Sequence, residues 1–262
     1  MGRLGDKVVI ITGAGDGLGA TMARLFAREG AHLTLAGRRT ELLEEVAASL
    51  RAGGNRAIAV TTDVTDEAAV IAMVAATVSE YGRVDVMCNN AAQPGRDLHV
   101  WEQTLENWNA TLAVDVTAAM LCSREVLTQS MLERQSGSIV HFSSPAGLEG
   151  IARKSHYGVA KAGLRTLTKV MAKEVGPRGI RVNCLVPGGI QTELLRNYWN
   201  RLANERGVTW EAIRDEGARS TALRRIATPE EIAQVALFLA SDESSAITGQ
   251  SIVADCGAQM PG

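Results

Sequence analysis

The sequence predicts an α/β fold, a doubly wound parallel sheet of about seven strands with helices on both faces. Three observations lead there. Short, near-continuous apolar runs recur along the chain, as expected of strands buried on both faces. Longer segments with helical periodicity separate them. A glycine-rich turn, Gly13-Ala14-Gly15-Asp16-Gly17-Leu18-Gly19, sits between the first apolar run and the first helix.

The elements follow in order. Val8 to Ile11 reads as a buried strand and Thr21 to Glu29 as a helix. His32 to Ala36 is a second strand, Glu41 to Arg51 a second helix, and Ala57 to Val60 a third strand. Asp66 to Tyr81 is helical, with Val70, Met73, Val74, Thr77 and Val78 on one face. Val84 to Cys88 is a fourth strand, Leu105 to Leu132 a long helical stretch, and Ser138 to Phe142 a fifth strand. Ser155 to Glu174 is a helix, Ile180 to Val186 a sixth strand, Glu230 to Ala240 a helix and Gln250 to Ala254 a short last strand. Right-handed crossovers between such strands give a doubly wound sheet. No repeat or linker divides the 262 residues, so one domain is expected, with a polar helical insertion at about 191–223 near the ligand crevice.

Composition narrows the function. The net charge is −2 with no basic stripe, which argues against nucleic acid as a partner. No stretch of about 18 apolar residues suggests a membrane span. The N-terminus runs straight into the first strand without a signal-peptide pattern, so a cytoplasmic location is expected. Cys88, Cys122, Cys184 and Cys256 are scattered, and the four histidines lack metal-ligand spacing, so neither a disulfide scaffold nor a metal site is expected.

The glycine-rich turn lies where an open α/β sheet receives a dinucleotide. Gly13, Gly17 and Gly19 allow a tight turn and close approach of backbone to pyrophosphate, and the helix start favours an anion. The strict Gly-x-Gly-x-x-Gly frame fails because Leu18 fills the third slot. A carboxylate at the end of the second strand would suit the ribose diol of NAD. This chain has Arg38 and Arg39 there, and guanidinium groups suit a phosphate. NADP is therefore favoured over NAD, although the charge of Asp16 near the adenosine end works against it.

Tyr157 and Lys161 stand four residues apart, with Ser144 thirteen residues upstream. On a helix, residues at i and i+4 share a face. A fixed cation beside a phenol favours its ionised form, producing a group able to trade a proton with an alcohol or carbonyl. Ser144 can hold the same oxygen.

Together these motifs resemble the short-chain dehydrogenase/reductase family over nearly the whole chain, from Lys7 to about Gly257. The resemblance rests on Thr12 to Gly19, Asp63-Val64, Asn89-Asn90-Ala91, Ser143-Ser144, Tyr157 to Lys161, and Pro187-Gly188. It implies a Rossmann-like fold and hydride transfer between a nicotinamide cofactor and a secondary alcohol or ketone. It implies that Asp63 and Val64 contact the adenine and that Asn89 and Ala91 line the nucleotide crevice. Ser144 would polarise the substrate oxygen, and Tyr157, beside the cofactor, would be the acid/base. Lys161 would tune Tyr157 and bond the nicotinamide ribose. Pro187, Gly188, Ile190 and Thr192 would form the nicotinamide pocket.

Two departures stand out. Ala92 follows Asn89-Asn90-Ala91 where the family usually has glycine. Asp115 stands where the family usually has an asparagine that anchors a water in a proton relay to the lysine. Asp115 could serve the relay, pair with Lys161, or signal altered chemistry, and the last leaves open a dinucleotide-binding regulatory relative without turnover. An isomerase or dehydratase on the same scaffold is a weaker alternative.

Gln93, Pro94, Pro145, Ala146, Gly147, His156 and Gly189 flank the expected pocket, and Leu194, Leu195 and Trp199 are positioned to close over it. That mixture suits a small or medium, partly apolar carbonyl or alcohol substrate, such as a cyclic alcohol, a steroid-like ring or an acyl derivative. Ala113, Ala118, Met120 and Leu121 exceed what one sheet face needs, which points to a homo-oligomer, a tetramer or a dimer.

Overall fold

The computed structural model describes residues 2–260. Its centre is a seven-stranded, all-parallel sheet in the order β3-β2-β1-β4-β5-β6-β7. The strands are β1 (Val8–Thr12), β2 (His32–Gly37), β3 (Ala57–Thr61), β4 (Val86–Asn89), β5 (Gly137–Phe142), β6 (Ile180–Pro187) and β7 (Ser251–Ala254). Strand order reverses beside β1, whose neighbours are β2 and β4. The crevice beyond the carboxyl ends of β1 and β4 is therefore the ligand position of such a sheet.

Helices cover both faces. They are α1 (Gly17–Arg28), α2 (Thr40–Ala52), α3 (Glu67–Tyr81), α4 (Leu105–Leu112), α5 (Ala118–Val126), α6 (Leu132–Arg134), α7 (Ser155–Val175), α8 (Glu193–Arg206), α9 (Trp210–Arg219) and α10 (Pro229–Ala240). All five residues of β1 are buried, and their alternation splits them between two cores. Val9 and Ile11 join Met22, Phe26, Leu43 and Leu237 from α1, α2 and α10. Ile10 joins Val70, Met73, Leu121 and Met171 from α3, α5 and α7. Burying each such large side chain contributes about 1.5–3 kcal/mol.

Most element boundaries differ from expectation by a single residue, and three differences go further. Helix α1 begins at Gly17 rather than Thr21, because tertiary contact overrides the low helical propensity of glycine. Strand β4 covers Val86–Asn89 instead of 84–88. The long helical stretch is continuous but not uniformly α. Wider π turns at Ala113–Thr117 and Leu127–Met131 interrupt it, and such turns re-aim side chains, frequently at functional sites.

A chain of polar groups crosses the second core. Asn89 Nδ2 donates to Ser123 Oγ at 3.0 Å, and Ser123 Oγ lies 3.2 Å from His141 Nε2. His141 Nδ1 lies 2.9 Å from Thr168 Oγ1, which donates to the Leu164 carbonyl at 2.9 Å. Every donor is satisfied when neutral His141 carries its proton on Nδ1. Burial, helped by Lys161, pushes the imidazole down to about 3. The unfolded chain takes up that proton from about pH 6.5 downward while the folded protein does not. Stability should therefore fall by about 1.4 kcal/mol per pH unit between roughly 6 and 4 on this account. Urea unfolding across that range, with His141→Gln flattening the slope, checks it.

Candidate active site

The glycine-rich turn is built by two close approaches. Gly13 and Gly17 adopt φ of +67° and +50°, a left-handed region that glycine enters freely. A Cβ on Gly19 would lie 2.1 Å from the Gly13 carbonyl oxygen, so only glycine lets α1 start so near β1. Asp16, at the N-cap of α1, makes no side-chain cap hydrogen bond, and the first turn carries no acid. The amides there remain available to a phosphate, and the positive end of the helix faces the crevice. These features fit the pyrophosphate of a dinucleotide.

Thr12 locks this turn to β4. Its Oγ1 accepts from the amides of Asn90 and Ala91, both at 3.1 Å, while Asn90 Nδ2 donates to the Thr12 carbonyl at 2.9 Å. Sequence reasoning placed Thr12 in a motif without seeing this role, because the partners are 78 and 79 residues away.

Around the adenosine end, Arg38 and Arg39 are exposed at the end of β2. Arg39 Nη2 pairs with Asp16 Oδ2 at 2.8 Å, so the acid expected to oppose a phosphate is engaged by one of the two arginines. Asp63 Oδ1 accepts from the backbone and hydroxyl of Thr65 at 3.0 and 2.7 Å. Those two hydrogen bonds hold its carboxyl below the usual range. Val64 is buried beneath.

The candidate chemical centre lies where α7 packs against the end of β5. Tyr157 and Lys161 share a face of α7, and the Lys161 ammonium is 5.5 Å from the Tyr157 ring centroid. Lys161 Nζ donates to the Phe142 carbonyl at 2.9 Å and to Asp115 Oδ1 at 3.2 Å. Ser144 follows directly after Ser143, whose hydroxyl donates to the Lys161 carbonyl at 2.9 Å. Two glycines make the approach tight. A Cβ on Gly147 would stand 2.6 Å from the Lys161 carbonyl carbon, and one on Gly158 would stand 3.0 Å from the Ala146 oxygen. Gly158 lies inside the Tyr157 to Lys161 motif, but nothing in the sequence marks either glycine for its contact.

Asp115 is buried on the first π turn. Its Oδ1 also accepts from the Gln93 amide at 3.1 Å, which ties the loop after β4 to the centre. Burial pushes its carboxyl above the usual range, against the pull of Lys161 and of that amide. For Lys161, burial is the largest influence and acts downward; Asp115 and Tyr157 together outweigh it and hold the ammonium above the ordinary lysine value.

From the last residue of β6, Pro187, the chain runs through Gly188 and Ile190 into Thr192. A Cβ on Gly188 would stand 2.5 Å from the Asp255 Cβ. Thr192 Oγ1 caps α8 through the Leu195 amide at 3.4 Å and donates to the Ile190 carbonyl at 3.3 Å.

Several residues expected at the pocket serve other ends. His156 is fully buried and bridges Gln103 Nε2 at 2.7 Å and the Pro94 carbonyl at 2.9 Å, so it braces the loop after β4 instead of facing substrate. Trp199 stacks on Trp210 with centroids 6.4 Å apart and packs with Ala203 and Ile213. It is the core of the α8–α9 insertion and not a lid surface. Ala118 and Leu121 face the second core, which leaves Met120 as the exposed apolar residue of that group. Lys154, missed in the sequence, lies 6.0 Å from the Tyr157 ring centroid and 5.2 Å from that of Tyr198. It pairs with Asp97 at 2.8 Å, and Arg201 of α8 reaches the same carboxylate at 3.0 Å. Among the described residues no helix is long and apolar enough to cross a membrane, and no cluster of metal-binding side chains occurs.

Comparison with known proteins bears on the family and the fold. A family model described as enoyl-(acyl carrier protein) reductase matches residues 13–259. The short chain dehydrogenase/reductase astE of Aspergillus oryzae is 37% identical over 258 residues, covering 98% of this chain and 96% of that protein. Meso-2,3-butanediol dehydrogenase of Serratia marcescens is 38% identical over 260 residues, covering 98% and 96%. The crystal structure of levodione reductase superposes with a TM-score of 0.91 at 34% identity, covering 97% of this chain and 98% of that one.

Proposed function

The chain belongs to the short-chain dehydrogenase/reductase family of oxidoreductases, and from that premise we propose that it interconverts a secondary alcohol and a ketone with Tyr157 as the acid/base. The observation that supports this reading is the Lys161 ammonium 5.5 Å from the Tyr157 ring centroid and on the Phe142 carbonyl at the carboxyl end of β5, the strand that Ser143-Ser144 follow. A bound nicotinamide dinucleotide supplies or accepts the hydride. Tyr157 gives or takes the substrate proton, Ser144 steadies the substrate oxygen, and Lys161 keeps a positive charge beside the phenol.

Gly13, Gly17, Leu18 and Gly19 hold the pyrophosphate, with Asp16 at its edge. Asp63 and Val64 face the adenine, and Asn89 and Ala91 line the crevice. Pro187, Gly188, Ile190 and Thr192 bound the nicotinamide side, with Tyr157 and Lys161 against its ribose. NADP is the preferred dinucleotide, because Arg38 is exposed at the end of β2 and Arg39 already occupies Asp16. Arg38→Ala should weaken NADPH about tenfold or more, the effect of losing one charge-assisted hydrogen bond, and leave NADH nearly unchanged. Parallel KM measurements check it.

The substrate is a small or medium, partly apolar carbonyl or alcohol, in keeping with relatives named for a butanediol and for levodione. The insertion formed by α8 and α9 borders the substrate side, latched to Asp97 through Arg201. We place the enzyme in the cytoplasm, where its four free cysteines stay reduced. We read it as a homotetramer or dimer, with exposed Met120, Val159 and Val170 on the outer helices. Light scattering tests the assembly. A screen of cyclic and acyclic secondary alcohols and ketones, run with NADPH and NADH in parallel, tests the activity. Absence of turnover with every pair, in protein that binds dinucleotide, would sink the reading.

A further inference from the structure

The buried pair at the back of the site is unlike the remainder of the molecule's ion pairs. Lys161 and Asp115 have side-chain exposures of 3% and 0%, whereas each of the other pairs among the described residues has a partner at least 19% exposed. Asp115 uses Oδ1 for both Lys161 and the Gln93 amide, while Oδ2 is buried without a partner among the described residues. Asp115 lines a cavity of about 10 Å³ together with Thr12, Asn89, Ala91, Cys122 and Lys161, roughly the space of one water. A carboxylate so placed holds its charge chiefly through Lys161, with the Gln93 amide beside it.

We propose that Asp115 is a positioning residue whose carboxylate offsets the Lys161 charge and so moves the working range of the Tyr157 proton exchange to higher pH than an uncharged amide would. The proposal rests on Tyr157 being the acid/base. The physical reason is Coulombic. Lys161 beside the phenol stabilises the phenolate, and a negative charge 3.2 Å behind that ammonium weakens the stabilisation. The other titratable groups around the pair do not replace this effect. On α7 it is His156, held by Gln103 and Pro94, and just before α7 it is Lys154, which is paired with Asp97. From β5 and β6 they are His141 and Cys184; burial pushes the first down to about 3 and the second up to about 11, so both are neutral near pH 7. Cys122 on α5 is likewise neutral, pushed by burial up to about 12.

The test is the pH profile of kcat/KM in both directions for the native enzyme, Asp115→Asn and Asp115→Glu, with dinucleotide binding as the check on folding. In Asp115→Asn the alkaline rise of alcohol oxidation and the alkaline fall of ketone reduction should both move about one pH unit or more toward acid. Asp115→Glu should restore the native midpoint at least in part. Unchanged midpoints in Asp115→Asn, or a shift toward alkali, overturn the proposal. If Asp115→Asn does not fold, Asp115→Ser removes the same charge and carries the same expectation. A set in which no uncharged variant folds assigns Asp115 to stability alone and also overturns it. Tyr157→Phe separates the two levels: if that variant turns over normally the acid/base reading fails, whereas an inactive Tyr157→Phe with an unshifted Asp115→Asn profile defeats only the role given to Asp115.

Discussion

Replacing Tyr157 with phenylalanine should lower turnover by about 10²–10⁴-fold, the range that a positioned acid/base supplies. The fold should tolerate the change. Tyr157 is half-buried on α7, and none of the hydrogen bonds that tie α7 to the sheet uses its hydroxyl. Dinucleotide binding, followed by fluorescence, should change far less than kcat, because the phosphate cradle and the strand ends that line it are untouched. Loss of kcat with binding kept marks a group that acts mainly in the transition state. Comparable losses in binding and in kcat would instead point to a collapsed crevice, and wild-type turnover would remove Tyr157 from the chemistry.

Lys161→Met should give the largest loss of stability among single changes at the site. It leaves Asp115 buried with no cation, and breaking a buried pair from one side costs about 3–5 kcal/mol. For a chain of this size that is a drop of about 10 °C in Tm. The sign of the pH dependence follows from the same pair. Burial already raises the Asp115 carboxyl, and removing Lys161 takes away the main opposing pull. A group whose folded value is raised contributes most below its unfolded value near 3.8 and loses that contribution as pH rises through the folded one. The defect of Lys161→Met relative to the native protein should therefore shrink on acidification and be full at neutral pH. Adding Asp115→Asn should recover much of the lost stability but not the activity. That non-additivity is the signature of a coupled pair. Urea unfolding of the two single variants and the double variant at two pH values measures it. An additive double variant would mean that the two side chains act independently.

Much of the architecture was legible in the chain. Seven apolar runs, the Gly13–Gly19 turn and the Tyr157/Lys161 spacing are local patterns, and local patterns survive in a one-dimensional reading. Arg38 and Arg39 at the end of β2 were legible for the same reason. The π turn around Asp115 was not, because nothing in Ala113-Val114-Asp115-Val116-Thr117 departs from helical periodicity, and only the fold brings Lys161 and the Gln93 amide to its carboxylate. The roles of His156 and Trp199 were not legible, because a histidine or tryptophan near a pocket looks alike whether it faces substrate or core. Only Gln103 and the Pro94 carbonyl, and the facing Trp210, decide between those outcomes.

By itself the sequence determined the fold class, the glycine-rich turn and the three side chains proposed to carry the chemistry, since each depends on residue type and on spacings of a few positions. Tertiary structure alone decided the strand order that makes the crevice, the close approaches at Gly19, Gly147 and Gly158, and the burial of Asp115 against Lys161. Those depend on contacts between segments tens of residues apart, where the energy of a charge or a missing Cβ is set by what the fold packs against it.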